Sequence, residues 1–210
     1  MSRSLKLAGL AAAAVIAVTG VAVLVAAAPA SSLSADEVTK ILDQAEASAK
    51  KVESGLRVDA AGKKQPTKMH IVVVDRGGRL AGQRSMADAW LGSVNIAKAK
   101  AFTALAFSSN ENALTSRTIG ALTQPGGPLW NIGNSNRQDG IIEFPGGMPL
   151  YRNGELVGGI GVSGDGVEQD DYVTAAGAQG FEPPPEIRAD QIFLRGVRLP
   201  YFKFPRNPEQ

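Results

Sequence analysis

Few side chains in this sequence can do chemistry, and they are scattered. Histidine occurs once, as His70, inside the apolar run Met-His-Ile-Val-Val-Val at 69–74, and cysteine is absent. No cluster of histidines or thiolates can therefore bind zinc, and a Ser-His-Asp triad would have to use this one imidazole. The plain reading of His70 is a packed core or strand-edge histidine. The sharper reading is an iron ligand, since neutral imidazole binds iron. Met86 and Met148 offer soft thioether sulfur, or simply adaptable packing. Lys98 and Lys100 can take carboxylates of a ligand, or pair with acids of the fold such as Asp170. Glu168 and Asp170 read either as an acid–base pair or as charges suited to a helix start. Glycines cluster at 126–127, 146–147 and 158–164. No Gly-Lys-Ser/Thr word and no Gly-x-Gly-x-x-Gly before a helix is present, so these are not phosphate loops. They mark backbone open to close approach. Two of them flank the loop 124–144, where Trp130 and Phe144 can form an apolar wall.

The elements that must position these residues follow from periodicity. Ser34-Ala-Asp-Glu37 is a capping box, and Val38, Ile41, Leu42, Ala45, Ala49 and Val52 share one helical face. That helix is expected to run to about Ser54, with Gly55 ending it. A polar, exposed loop is expected at 59–67. Residues 68–75 read as a strand buried on both faces, because four β-branched residues follow one another. Arg76-Gly77-Gly78-Arg79 is turn chemistry, and 80–84 returns as a shorter strand. Asp88 is placed to cap a helix carrying Trp90, Val94, Ala97, Ala101 and Leu105 on one face. Its alanines allow close approach to a sheet. A short helix is expected at 112–119, then an irregular loop to 140. Arg152-Asn-Gly-Glu155 is a type I′ hairpin signal. The glycine-rich strand 156–162 predicts a helix or ligand lying close against it. A last helix is expected at 168–179.

The chain has 210 residues, enough for one domain with a core plus extensions. Arg3 and Lys6 precede an almost unbroken apolar run at 7–28, and Ala28-Pro29-Ala30 supplies small residues for signal cleavage. Residues 1–30 thus read as a signal peptide. The rival is an uncleaved anchor, because roughly 20 apolar residues span a bilayer. The expected location is periplasmic or extracellular, on a membrane only if the leader is retained. Without Arg3 and Lys6, the 22 basic residues become 20, against 20 acidic ones. Such a neutral chain lacks the concentrated positive surface that nucleic-acid binding needs. At the other end, Pro183-Pro-Pro185 is a stiff spacer, and 187–210 holds Ile192, Phe193, Leu194, Val197, Leu199, Tyr201, Phe202 and Phe204. An arm this apolar is expected to pack on the domain or on a neighbouring subunit.

Four words occur in order. They are Val-Val-Asp-Arg-Gly-Gly-Arg-Leu at 73–80, Ala-Lys-Ala-Lys-Ala-Phe-Thr-Ala at 97–104, Phe-Pro-Gly-Gly-Met-Pro at 144–149, and Gly-Gly-Ile-Gly-Val-Ser-Gly at 158–164 followed by Glu168-Gln-Asp170. Together they resemble the GlcG/HbpS family of haem-binding and haem-degrading-type domains, also found as the C-terminal domain of PduO-type corrinoid proteins. The resemblance covers 34–180, not the arm at 181–210. It implies one α/β domain of the α+β type, an antiparallel sheet with helices packed on its faces, that assembles into homo-oligomers and binds haem or another tetrapyrrole. Toward haem, His70 would be the axial metal ligand. Many relatives read Gly-Gly-His where this chain has Gly77-Gly78-Arg79, so Arg79 would instead pair a propionate. Lys100, Met86 and a pocket of Gln124, Gly126, Gly127, Trp130, Phe144, Gly146, Gly147 and Met148 complete the expected site. The first reading is an exported haem-binding protein without a catalytic set. The second is an accessory subunit of a periplasmic oxidoreductase, docked through the arm. The third is an enzyme acting on a small acid or on haem.

Overall fold

The structure is a computed structural model that describes residues 32–134 and 140–202. The leader at 1–30, loop residues 135–139 and the end of the arm at 203–210, with Phe204, lie outside the described residues. Helix α1 (Ala35–Ala49) starts with the expected box: Ser34 Oγ accepts from the Glu37 amide, and the Glu37 carboxylate accepts from the Ser34 amide. It ends before Ser54, five residues earlier than its periodicity suggests. Ser54 is buried in strand β1 (Glu53–Val58), where its hydroxyl donates to Asp165 and accepts from two following amides. A hydroxyl satisfied from three sides holds that backbone extended. β1 pairs with β2 (Lys64–Pro66), so the expected polar loop is a small hairpin.

β3 (His70–Asp75), β4 (Leu80–Ser85), β5 (Gly147–Arg152) and β6 (Glu155–Ser163) form one antiparallel sheet in the order β4-β3-β6-β5. β3 is central and buried on both faces, as its four β-branched residues predict. Ile71 and Val73 join the core beneath α1 and helix α4 (Val167–Gly177). Val72 and Val74 join the core beneath helix α2 (Ser93–Ala106). The β5–β6 turn places Asn153 at φ 53° and Gly154 at φ 81°, the two left-handed positions that a type I′ hairpin requires. Asp88 does not cap α2. It sits in a turn at φ 62°, and Gly92 occupies the cap position with no side-chain bond. Helix α3 (Ser116–Leu122) begins later than expected because Thr115 and Thr118 form a reciprocal box at its start.

The glycine-rich strand is explained by α2. A Cβ at Gly161 would stand 2.1 Å from the Ala97 carbonyl oxygen and 2.4 Å from the Ala101 nitrogen. One at Gly159 would stand 2.5 Å from the Ala101 carbonyl oxygen, and one at Gly147 would stand 2.2 Å from that of Lys100. Helix backbone lies directly on sheet backbone, with alanines on one side and glycines on the other. The arm packs on the same side of the molecule. The Ala189 amide donates to Ala113, while Thr115 and Thr118 hydroxyls donate to the carbonyls of Tyr201 and Pro200 at 2.7 and 2.6 Å. Ala189, Leu199 and Tyr201 are buried. A two-residue hairpin, β7 (Phe193–Leu194) with β8 (Val197–Arg198), leaves Phe193 and Val197 66% and 69% exposed. Gly161→Ala is expected to cost at least about 1–3 kcal/mol in urea denaturation, the range for overpacking. Gly92→Ala, which meets nothing within 4 Å, stays within about 1 kcal/mol of wild type.

Candidate functional site

Lys100 lies on the sheet side of α2, in the thin seam against Gly147, and is fully buried. Its ammonium reaches through to the far side, where Nζ donates to Asp170 Oδ2 at 2.6 Å and to the Val162 carbonyl at 3.1 Å. Phe144 covers it at 5.4 Å from the ring centre. Next to this pair, Arg117 Nε donates to Asp171 Oδ2 at 2.8 Å and Nη2 reaches Glu168 Oε1 at 3.3 Å. The Gly146 amide donates to Asp171 Oδ1 at 3.2 Å. Gly146 takes φ 110°, and a Cβ there would come within 2.9 Å of Lys100 Nζ. Burial pushes the Lys100 pKa down and pushes the Asp170 carboxyl up to about 6, with each partner pulling the other back. Burial likewise raises Asp171 against the pull of Arg117. Lys100 thus pairs with an acid of the fold, and Glu168 and Asp170 stand in the first turn of α4. The cluster is closed by its own partners and ties α2, α3 and α4 together around Gly146.

The other expected ligand residues are not gathered at one place. His70 is buried, and both its ring nitrogens are used: Nε2 bonds the Trp90 carbonyl at 3.0 Å and Nδ1 bonds Ser85 Oγ at 2.8 Å. A carbonyl only accepts, so Nε2 carries the proton and Nδ1 accepts from the hydroxyl; no lone pair is left for iron. Both ring nitrogens of His70 are thus engaged within the chain. Arg79 is exposed in the β3–β4 turn, where its amide donates to Asp75, about 17 Å along the strand from His70. Met86 Sδ accepts the Met69 amide at 3.4 Å, and Met148 is packed in the core. Gln124 donates to the Gly120 carbonyl at 2.8 Å, and the Gly127 amide closes a turn onto Gln124 at 2.7 Å. Gly126 takes φ 78° in that turn. These residues end α3 and build a loop on which Trp130 is 60% exposed and Phe144 half-buried. Among the described residues, no group of three or more His, Asp or Glu is placed to hold a metal ion.

The concave surface lies instead along the outer face of α4. Between α1 and α4 is a cleft of about 610 Å³, lined by Gln44, Ser48, Lys51, Glu53, Lys64, Gln169 and Tyr172 among others. It shares Ser48, Tyr172, Ala176 and Gln179 with a groove of about 420 Å³ between α4 and the arm. Met148, Pro149, Ala175, Arg188, Tyr201 and Phe202 line that groove. Met148 is the one residue of the expected pocket that lines it. A third cleft, of about 430 Å³, takes in Met86 with Lys50, Lys68 and Ser85. In the sequence, the only signal of the α4 groove is Tyr172, Ala175, Ala176 and Gln179 on one helical face, large and small alternating.

An antiparallel sheet with helices on both faces is an α+β domain. The chain belongs to the HbpS-like family, described as haem degrading protein HbpS-like, whose profile matches residues 33–179. It is similar, at 40% identity over 100 residues, to the corrinoid adenosyltransferase PduO of Citrobacter freundii, a match over 48% of this chain and 28% of that protein. An uncharacterized 15.0 kDa protein of the same organism, from the dhaT-dhaS intergenic region, is 38% identical over 98 residues, 47% of this chain and 65% of that one. The matches therefore span only part of these relatives' length. A solved PduOC:heme complex superposes with a TM-score of 0.59 at 25% identity, covering 72% of this chain and 96% of that chain.

The buried pair sets a pH signature. A carboxyl whose folded pKa lies above its unfolded value of 3.8 contributes stability below that value and loses the contribution as pH rises through the folded one, here about 6. Wild type is expected to lose stability relative to the Lys100→Met/Asp170→Leu double variant between about pH 4 and about pH 7, read by chemical denaturation. At neutral pH, Asp170→Leu alone strands the ammonium and costs about 3–5 kcal/mol, more than the double variant does.

Proposed function

We propose that this chain is a haem- or tetrapyrrole-binding protein that holds its ligand on a largely preformed apolar surface. The observation that carries the reading is membership of the HbpS-like family across 33–179, joined to the likeness to a haem complex. The residues present fit such a ligand as a surface: the α4 groove has aromatic, methionine and alanine walls, with lysines and an arginine at its ends. They do not fit it through His70, Met86 or Met148, whose donor atoms are engaged or packed within the chain. Bound haem would supply a redox-active iron; the chain's own residues orient the ring and shield one face from water.

The N-terminal leader makes export to a periplasmic or extracellular space part of this proposal. Homo-oligomerisation is also part of it. It is supported by Leu56, Val58 and Leu91, which stand 60%, 61% and 86% exposed and would be covered by a second copy. A role as accessory subunit of a periplasmic oxidoreductase is the second reading, favoured by the exposed Phe193 and Val197 on an otherwise docked arm. Haemin titration of the purified chain is expected to give a saturable Soret band distinct from free haemin. A spectrum that is the sum of free haemin and protein overturns the haem reading. Arg79→Ala, whose residue lines neither the α4 groove nor the adjoining cleft, is expected to leave the affinity within about twofold.

A further inference from the structure

Every wall of the α4 groove is held in place before a ligand arrives. α4 is fixed from below by the Lys100–Asp170 and Arg117–Asp171 pairs, which leaves Tyr172, Ala175 and Ala176 on its outer side. The opposite wall, Arg188, Tyr201 and Phe202, comes from the arm, which lies beyond the family match. That wall is pinned by the Thr115 and Thr118 hydroxyls and by the Ala113–Ala189 backbone bond. Arg188 is stacked on Tyr201 at 4.6 Å and bonded to Asp190 at 2.8 Å, so it is rigid as well. Burial raises the Tyr201 phenol above its usual pKa. Two small residues, Ala175 and Ala176, floor a slot between aromatic side chains. This shape suits a flat ring. The groove runs on past Tyr172 into the cleft where Lys51 and Lys64 stand, in no ion pair among the described residues, with Glu53 beside them. An apolar slot opening onto cations fits a planar apolar ligand with carboxylates at one edge.

We infer that the C-terminal arm and α4 together form the tetrapyrrole site. The ring lies in the slot over Ala175 and Ala176, its carboxylates toward Lys51 and Lys64. This rests on the haem reading and moves its site away from the loop around Trp130. The arm is then a ligand-binding element added to the family domain. Tyr172 lines both the groove and the cleft and joins the two.

The test is haemin titration of the full chain and of its groove and arm variants, with the folded state of each checked by thermal melting. Ala176→Trp fills the slot and Phe202→Ala removes its outer wall; each is expected to weaken haemin at least tenfold. If wild type binds and both groove variants bind equally well, the placement is overturned while the haem reading stands. Binding that appears only after Phe204→Ala assigns the slot to the chain's own terminus and overturns the inference. A wild type that takes up no haemin overturns both readings.

Discussion

The contact of α2 with β6 leaves no space for side chains, and much of the structure follows from it. Ala97 and Ala101 present backbone to Gly161 and Gly159, and the carbonyl of Lys100 presses on Gly147. Packing this tight cannot yield locally, because a single added methyl would overlap backbone on both sides. Lys100 lies in this seam, so its long side chain must run through the fold and cannot reach water. A buried ammonium without a partner is too costly to keep, and Asp170 is placed to receive it. That requirement fixes the start of α4. Arg117 and Asp171 repeat the arrangement one residue on and fix α3 to the same point. The charged words in the sequence are thereby consumed in holding helices.

With its charged side turned inward, α4 offers its other side to the surface. A helix tethered by two buried ion pairs and flanked by a pinned arm is a rigid wall, and rigid walls bind flat ligands without an ordering cost. The three cations near this surface differ in role. Arg188 is already stacked and paired, whereas Lys51 and Lys64 have no ion-pair partner among the described residues and stand in the open cleft. Orientation of a dicarboxylate ring follows from that asymmetry.

The fold was legible wherever the signal is local. The Ser34–Glu37 box, the β-branched run of β3, the Asn153-Gly154 turn and the close approach at Gly159 and Gly161 each depend on a few adjacent residues. The structure has all four. The pairing of Lys100 with Asp170 was among the readings open to the sequence, and the structure shows it. What failed depended on distant partners. Ser54 leaves its helix for Asp165, 111 positions away. His70 reads the same in sequence whether free or engaged; only the folded positions of Ser85 and Trp90 decide it. The groove was invisible for the same reason. Met148, Tyr172, Arg188 and Phe202 come from four separate stretches and share no spacing.

The central claim is a location, and paramagnetism reads location directly. Ferric haemin added to isotope-labelled protein broadens amide and methyl signals near the iron, and a diamagnetic gallium porphyrin gives the reference shifts. The account predicts loss of signal centred on Tyr172, Ala175, Ala176 and Phe202, with Trp130 and Phe144 retained. Broadening centred on Trp130 and Phe144, with the α4 signals sharp, would contradict it.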